Sequence, residues 1–227
     1  MKVATWNVNS LKARLPRVLE FLDQQRPDVL CLQETKCAPD DCCVDDFKRV
    51  GYHAVHHSAG PWAGVAILAG EPLTDYIAGL PGELRADEAR WVEATIAGVR
   101  VCSAYVTNGR QVDSEWFAAK LTFLDAISHR VEQLRAVPTI VAGDFNVARD
   151  DRDVYDPAAF VGSTHVTPQE REHLERVIDA GSLADAYRCV HPDDQQFTWW
   201  DYRMGAFHRG LGLRIDYILL SRHSLRS

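Results

Sequence analysis

Short apolar runs that end on a polar residue recur along the chain. KVATWNV near the N-terminus, DVLCLQ, GVAILAG, the alternation WVEATIAGV, VRVCSAYV, PTIVAG and LRIDYILL each have the length and β-branched content of a strand, and Gly and Pro punctuate the intervals. Between them lie helical periods. Pro16 is suited to the first residue of a helix that buries Val18, Leu19 and Leu22 and stops before Pro27. Ser114 is placed to cap a helix whose apolar positions Phe117, Leu121, Leu124, Ile127, Val131 and Leu134 recur every three or four residues. Thr167, Pro168 and Glu170 spell a capping box, opening a helix through Leu174, Val177 and Ile178 that Gly181 can close. Strands and helices do not alternate regularly. The pattern therefore predicts an α/β protein of packed sheets with helices outside, and the absence of a Gly/Ser/Pro linker predicts a single domain over 1–227.

Composition narrows the function. The chain carries 25 Lys and Arg against 32 Asp and Glu, a formal charge of −7, which excludes a generally basic nucleic-acid coat and confines any such contact to a local patch. No apolar run is long enough to span a membrane and the first residues lack the order of a signal peptide, so a cytoplasmic protein without a membrane partner is expected. In that compartment the six cysteines are expected as reduced thiols. Cys37, Cys42 and Cys43, followed by His53, His56 and His57, fit no standard zinc spacing and read as a surface loop.

Candidate chemistry gathers at the carboxyl ends of the apolar strands: Asn7 after KVATW, Glu34 after VLCLQ, Tyr105 in VRVCSAY and Asp144 after TIVAG. Asp144 and Asn146, two apart in GDFN, would share one side of an extended segment. A carboxylate there can orient and deprotonate water, and an amide can donate to the charge developing on a phosphate. Glu34 supplies the hard oxygen that Mg²⁺ prefers, and Asn7 either a second oxygen or a brace for Glu34.

The motifs WNVNSLKAR, LQETK, GVAIL, AYVTNGR, GDFNVA, TPQERE and FTWWDYRMGAFHRGLGLRIDYILLS resemble the exonuclease III and apurinic/apyrimidinic (AP) endonuclease family, within the endonuclease/exonuclease/phosphatase superfamily, from the first residues to Ser221. WNVN, QET and GDFN are shared across that superfamily, whereas NGR, TPQER and TWWDYR with RIDY are the specific part. The resemblance implies a DNase I-like four-layer sandwich of two mixed β-sheets flanked by helices. It implies Mg²⁺ or Mn²⁺ as cofactor and double-stranded DNA with abasic sites or 3′ ends as partner, acted on by a monomer. It further implies metal positions at Asn7 and Glu34, a phosphate contact at Tyr105, the water-activating pair Asp144 and Asn146, and at Asp216 the aspartate that orients a catalytic histidine. Trp199, Leu213 and Ile215 match the apolar pocket for a flipped, baseless sugar, and Arg90 a DNA-phosphate contact. An abasic sugar leaves the stack cheaply and fits a recess too small for a nucleotide with its base. Leu213 and Ile215 share a face of an extended segment, as such a recess requires. From Trp199 onward five arginines (203, 209, 214, 222 and 226) stand against two aspartates, a candidate phosphate-facing patch.

Two departures stand out. Thr107 occupies a place where proline is usual in the family, and Asn9 one where some relatives carry an aspartate. The family's closing Ser-Asp-His segment does not follow the RIDY strand, His223 is too near Asp216 to replace it, and a sandwich lacking its final strand or strands, in a truncated chain, is expected. A phosphatase acting on a small phosphorylated substrate and a DNA-damage binding protein without turnover are the alternatives.

Overall fold

Residues 1–203 and 205–222 are described by the computed structural model. The chain opens with β1 (Val3–Asn7), α1 (Leu11–Gln25), β2 (Val29–Gln33), α2 (Val44–Arg49), β3 (His53–His57) and β4 (Val65–Ala69). These four strands form one mixed sheet in the order β1-β2-β4-β3, with β1 and β2 parallel. The next strands are β5 (Thr74–Ala78), β6 (Trp91–Ile96) and β7 (Val99–Tyr105); α3 (Glu115–Gln133) leads to β8 (Thr139–Asp144). After α4 (Pro168–Ala180) come β9 (Leu183–Asp185), α5 (Ala186–Val190), the short pair β10 (Trp199–Trp200) and β11 (Gly212–Leu213), and β12 (Asp216–Ser221). The second sheet is six-stranded, in the order β5-β6-β7-β8-β12-β9, with β7 and β8 parallel.

Alternation along the buried strands explains the layers. On β2, Leu30 and Leu32 pack under α1 and α2, while Cys31 and Val29 face the other sheet. On β8, Val141 packs with α3 and α4, while Ile140 and Ala142 meet Ile67 and Val29 across the sheet interface. Two mixed sheets flanked by helices result, as expected.

The α3 and α4 boundaries follow from their caps. The Ser114 hydroxyl accepts from Phe117 N–H, and Thr167 and Glu170 form the reciprocal capping box with Pro168 in the first turn. The Pro16 expectation fails: α1 begins at Leu11 and carries Pro16 inside. Its start is set by tertiary contact, since Ser10 N–H donates to the Glu34 carbonyl at 2.8 Å and Leu11 N–H to the Thr35 carbonyl at 2.9 Å. The expected strand through LRIDYILL divides into β11 and β12, the first pairing with Trp199 and Trp200 and the second with β8 and β9. Cys37 and Cys42 are buried in the core beneath α1 and α2, which corrects the surface-loop reading. No helix among the described residues is long and apolar enough to cross a membrane.

Candidate active site

Strand direction brings the polar residues together. Parallel pairing sets Asn7 opposite Gln33, next to Glu34, and sets Tyr105 opposite Asp144. Antiparallel pairing sets the first residue of β12, Asp216, opposite Asp144. One residue before Asp144 the backbones come close: a Cβ on Gly143 would stand 2.0 Å from the Ala104 carbonyl oxygen, so only glycine fits between β7 and β8.

The Asn7 amide joins the two sheets. Its Nδ2 donates to Glu34 Oε1 at 2.8 Å and to Asp144 Oδ2 at 2.9 Å, and its Oδ1 accepts from Asn9 N–H at 3.0 Å. Asn7 therefore braces the two carboxylates rather than turning its own oxygen toward them. Asn146 does not continue an extended segment. It takes the left-handed conformation with φ 51°, and its N–H donates to Asp144 Oδ1 at 2.9 Å. The turn thus ties the Asn146 main chain to the Asp144 carboxylate, in a conformation Asn tolerates better than most residues. Asn146 Nδ2 donates to the Val106 carbonyl at 2.8 Å, which leaves one amide hydrogen for another acceptor. Asn9, Ser10, Glu34 and Lys36 also have positive φ, so the loops after β1 and β2 turn sharply beside the strand ends.

The electrostatics separate the carboxyls. Burial works against ionisation of Glu34, but the Asn7 amide and the Lys36 ammonium, 2.9 Å from Oε2, hold its carboxyl below the usual range. Asp144 is pushed well above its ordinary range by burial and by the facing Asp216. Asp216 is raised to about 6 by burial, opposed by a hydrogen bond from Thr198. The Tyr105 hydroxyl donates to Glu34, and burial, then the charges of Glu34 and Asp144, push its pKa up, so it stays protonated. Among the described residues no histidine pairs with Asp216, and His223 lies outside them.

Arg90 is placed differently from a free phosphate contact. It is buried, its Nε donates to Glu88 at 2.7 Å, and its guanidinium stacks 4.7 Å from the Tyr105 ring centroid. Of the arginine patch, Arg214 is also buried: it donates to Asp153 at 2.7 Å and to Asp185 at 2.8 Å, and so is a structural tie rather than a phosphate-facing charge. A cavity of about 1120 Å³ opens beside Asn7, Glu34, Asp144 and Asp216, with Trp199, Trp200 and Phe207 in its wall. Leu213 and Ile215 do share one small apolar cluster, with Ala148, Val154 and Trp199, but they are fully buried and do not line that cavity.

Sequence reasoning passed over Lys36 and Thr198. The Thr198 hydroxyl accepts from Ile215 N–H at 3.1 Å and Asp216 N–H at 3.2 Å and so fixes the start of β12. Its position between Phe197 and Trp199 carried no signal beyond adjacency.

The profile of the Endonuclease/Exonuclease/phosphatase family matches residues 4–227. The chain belongs to this family. It is 32% identical to an exodeoxyribonuclease of Bacillus subtilis (strain 168), covering 97% of this chain and 88% of that protein. Among solved structures, a 3′-5′ exonuclease from Neisseria meningitidis superposes with a TM-score of 0.95 at 38% identity, covering 98% of this chain and 88% of that one. An AP endonuclease from Archaeoglobus fulgidus superposes with a TM-score of 0.92 at 36% identity, covering 97% of this chain and 86% of that one. Within the family, the strand-end cluster of Asn7, Glu34, Asp144 and Asp216 beside an aromatic-walled cavity is the candidate active site.

Proposed function

We propose that this family member hydrolyses phosphodiester bonds in double-stranded DNA with Mg²⁺ or Mn²⁺. It is an exodeoxyribonuclease III and AP endonuclease type enzyme of base excision repair. It cuts 5′ to an abasic site to leave a 3′-hydroxyl, trims 3′ ends, and acts as a cytoplasmic monomer. The observation that carries this reading is the union, through the Asn7 amide, of an ionised carboxylate at Glu34 with a carboxyl of raised pKa at Asp144. A pair of carboxyls tuned apart in this way suits one to hold positive charge and the other to take a proton. The nuclease and AP endonuclease relatives add to it.

The donor set fits a hard divalent cation. Among the described residues no group of three His, Cys, Asp or Glu is arranged to hold a metal. Mg²⁺, however, needs only one or two carboxylates, keeping water and substrate oxygens for the rest. Glu34 supplies the carboxylate, and Asn7 keeps it in place. A bound Mg²⁺ neutralises phosphate charge and stabilises the leaving oxygen.

The remaining roles belong to side chains. Asp144 orients water and accepts its proton, and the facing Asp216 keeps it basic enough to do so. The free amide hydrogen of Asn146 and the protonated Tyr105 donate to the phosphate oxygens. Arg90, held by Glu88, steadies the Tyr105 ring. Trp199 forms the accessible wall for a baseless sugar, and Leu213 and Ile215 fix the floor behind it.

Cleavage of a duplex containing one abasic site, with Mg²⁺ and with chelator, tests the reading. Asp144→Asn is expected to lower kcat by at least ~100-fold while leaving DNA affinity nearly unchanged. Hydrolysis of small sugar phosphates in place of DNA would assign the site to a phosphatase. Binding of abasic DNA without cleavage would assign it to a recognition protein.

A further inference from the structure

The apolar stripe of α3 contains one charged residue. Lys120 lies three residues after Phe117 and four before Leu124, on the face that packs inward, and it is fully buried. All three of its ammonium donors are used. Nζ donates to the main-chain carbonyl of Asn146 at 2.7 Å, to that of Asn108 at 3.3 Å, and to Glu170. Asn146 belongs to the GDFN turn and Asn108 to the NGR loop that follows Tyr105.

Glu170 extends the connection. It accepts from His165 N–H at 2.9 Å and from Thr167 N–H at 3.0 Å. His165 has φ 83°, and its ring stands edge-on to Trp199 with centroids 6.4 Å apart. One buried ion pair thus touches the turn beside Asp144, the loop after Tyr105, and the segment behind the Trp199 wall.

A buried ion pair is a poor way to gain stability alone, because desolvating two charges offsets most of their attraction and an apolar residue would serve the stripe as well. Three fixed donors are, by contrast, well suited to holding separate carbonyls at a set distance. We propose that Lys120 is a positioning residue, which sets the GDFN turn against the NGR loop so that Asp144, Asn146 and Tyr105 address one phosphate. The inference rests on the function proposed above and adds a residue that the strand-end motifs do not contain.

Two variants and two readouts test it. Lys120→Met keeps the stem and removes the donors, whereas Lys120→Arg keeps the charge for Glu170 but cannot place its flat fork on both carbonyls as an ammonium does. Hydrogen exchange is followed at Asn146 N–H, which donates to Asp144, and at Arg110 N–H, which donates to the Asn108 side chain at 2.7 Å. Both should exchange at least ~10-fold faster relative to the α3 amides of Leu124 and Ile127, the scale of losing one buried hydrogen bond. On abasic duplex with Mg²⁺, kcat should fall by about 10- to 100-fold with KM little changed, the scale of a small misplacement. Should Lys120→Met fail to fold, Lys120→Arg decides alone. Protection lost equally at Asn146, Arg110 and α3 would make the pair a purely structural element and overturn the proposal, as would a normal kcat in a folded variant. The exchange measurement needs no turnover, so an inactive parent chain would count against the proposed function while leaving this inference to be decided by exchange.

Discussion

Asp216 should lower the stability of the protein at the pH where it would work. Its carboxyl stands opposite Asp144, receives hydrogen bonds only from Thr198 among the described residues, and has its pKa raised from 3.8 to about 6. A raised folded-state pKa means that the protonated form is the one the fold favours. The stabilising contribution is complete below the unfolded pKa near 4, declines as the pH rises, and is lost above about 6. At about 1.4 kcal/mol per tenfold, ionised Asp216 then costs about 3 kcal/mol at neutral pH. Asp216→Asn removes the charge and keeps a group able to bond with the Thr198 hydroxyl. The variant should therefore be more stable than the parent by up to ~3 kcal/mol above pH ~6, roughly 6–12 °C in Tm for a chain of this size, and equal to it near pH 3. Thermal unfolding of both proteins in chelator, at half-unit steps from pH 3 to 8, measures the difference directly. The same variant should cleave abasic DNA more slowly, because Asp144 loses the neighbour that keeps it basic. A stability difference that does not change with pH would refute the reasoning, since it would mean that Asp216 does not ionise with a raised pKa in the fold.

Three further outcomes follow from the same geometry. Glu34→Gln should abolish stimulation of cleavage by Mg²⁺ with the fold intact, and a metal titration identical to that of the parent would remove Glu34 from the site. Trp199→Ala with Leu213→Ala should erode the preference for abasic over intact duplex, measured as a ratio of kcat/KM; the Leu213 change alone should cost about 2–5 kcal/mol, because it empties space in a fully buried cluster. Gly143→Ala should destabilise the chain by several kcal/mol and depress activity further, because its methyl group meets the Ala104 carbonyl in the strand that carries Tyr105. A soluble Gly143→Ala protein with the parent's melting temperature would contradict this packing.

The strand ends were legible in the sequence because each is a change from apolar alternation to a polar residue, and parallel or antiparallel direction then had few ways to arrange them. Asn7, Glu34, Tyr105 and Asp144 meet for that reason, and Asp216, which only the family resemblance implied, joins them at the start of β12. Conformation past the strand ends was not legible. Asn146 turns left-handed, and the start of α1 is dictated by the Glu34 and Thr35 carbonyls rather than by Pro16. Charge pairing was legible least of all. Arg214 reads as a surface cation until Asp153 and Asp185, 61 and 29 residues away in the chain, enclose it, and Arg90 reads as a phosphate contact until Glu88 takes its guanidinium. Lys120 left a faint mark, a cation on an otherwise apolar helical stripe.

The Asn7 amide makes the spacing between Glu34 and Asp144 a gauge of how far apart the two sheets stand. Glu34 rides on one sheet and Asp144 on the other, and what separates them is the layer of Cys31, Ile67, Val101 and Ala142. Adding or removing a methylene in that layer would move the sheets by a fraction of an ångström. Such a change is mild for folding, yet it would strain or loosen a bridge whose two arms are 2.8 and 2.9 Å long. Enzymes of this architecture should therefore lose rate before they lose structure as their central layer drifts in volume. Attempts to stabilise the chain by enlarging Ala142 or Cys31 should be screened by turnover, with melting temperature as the secondary criterion.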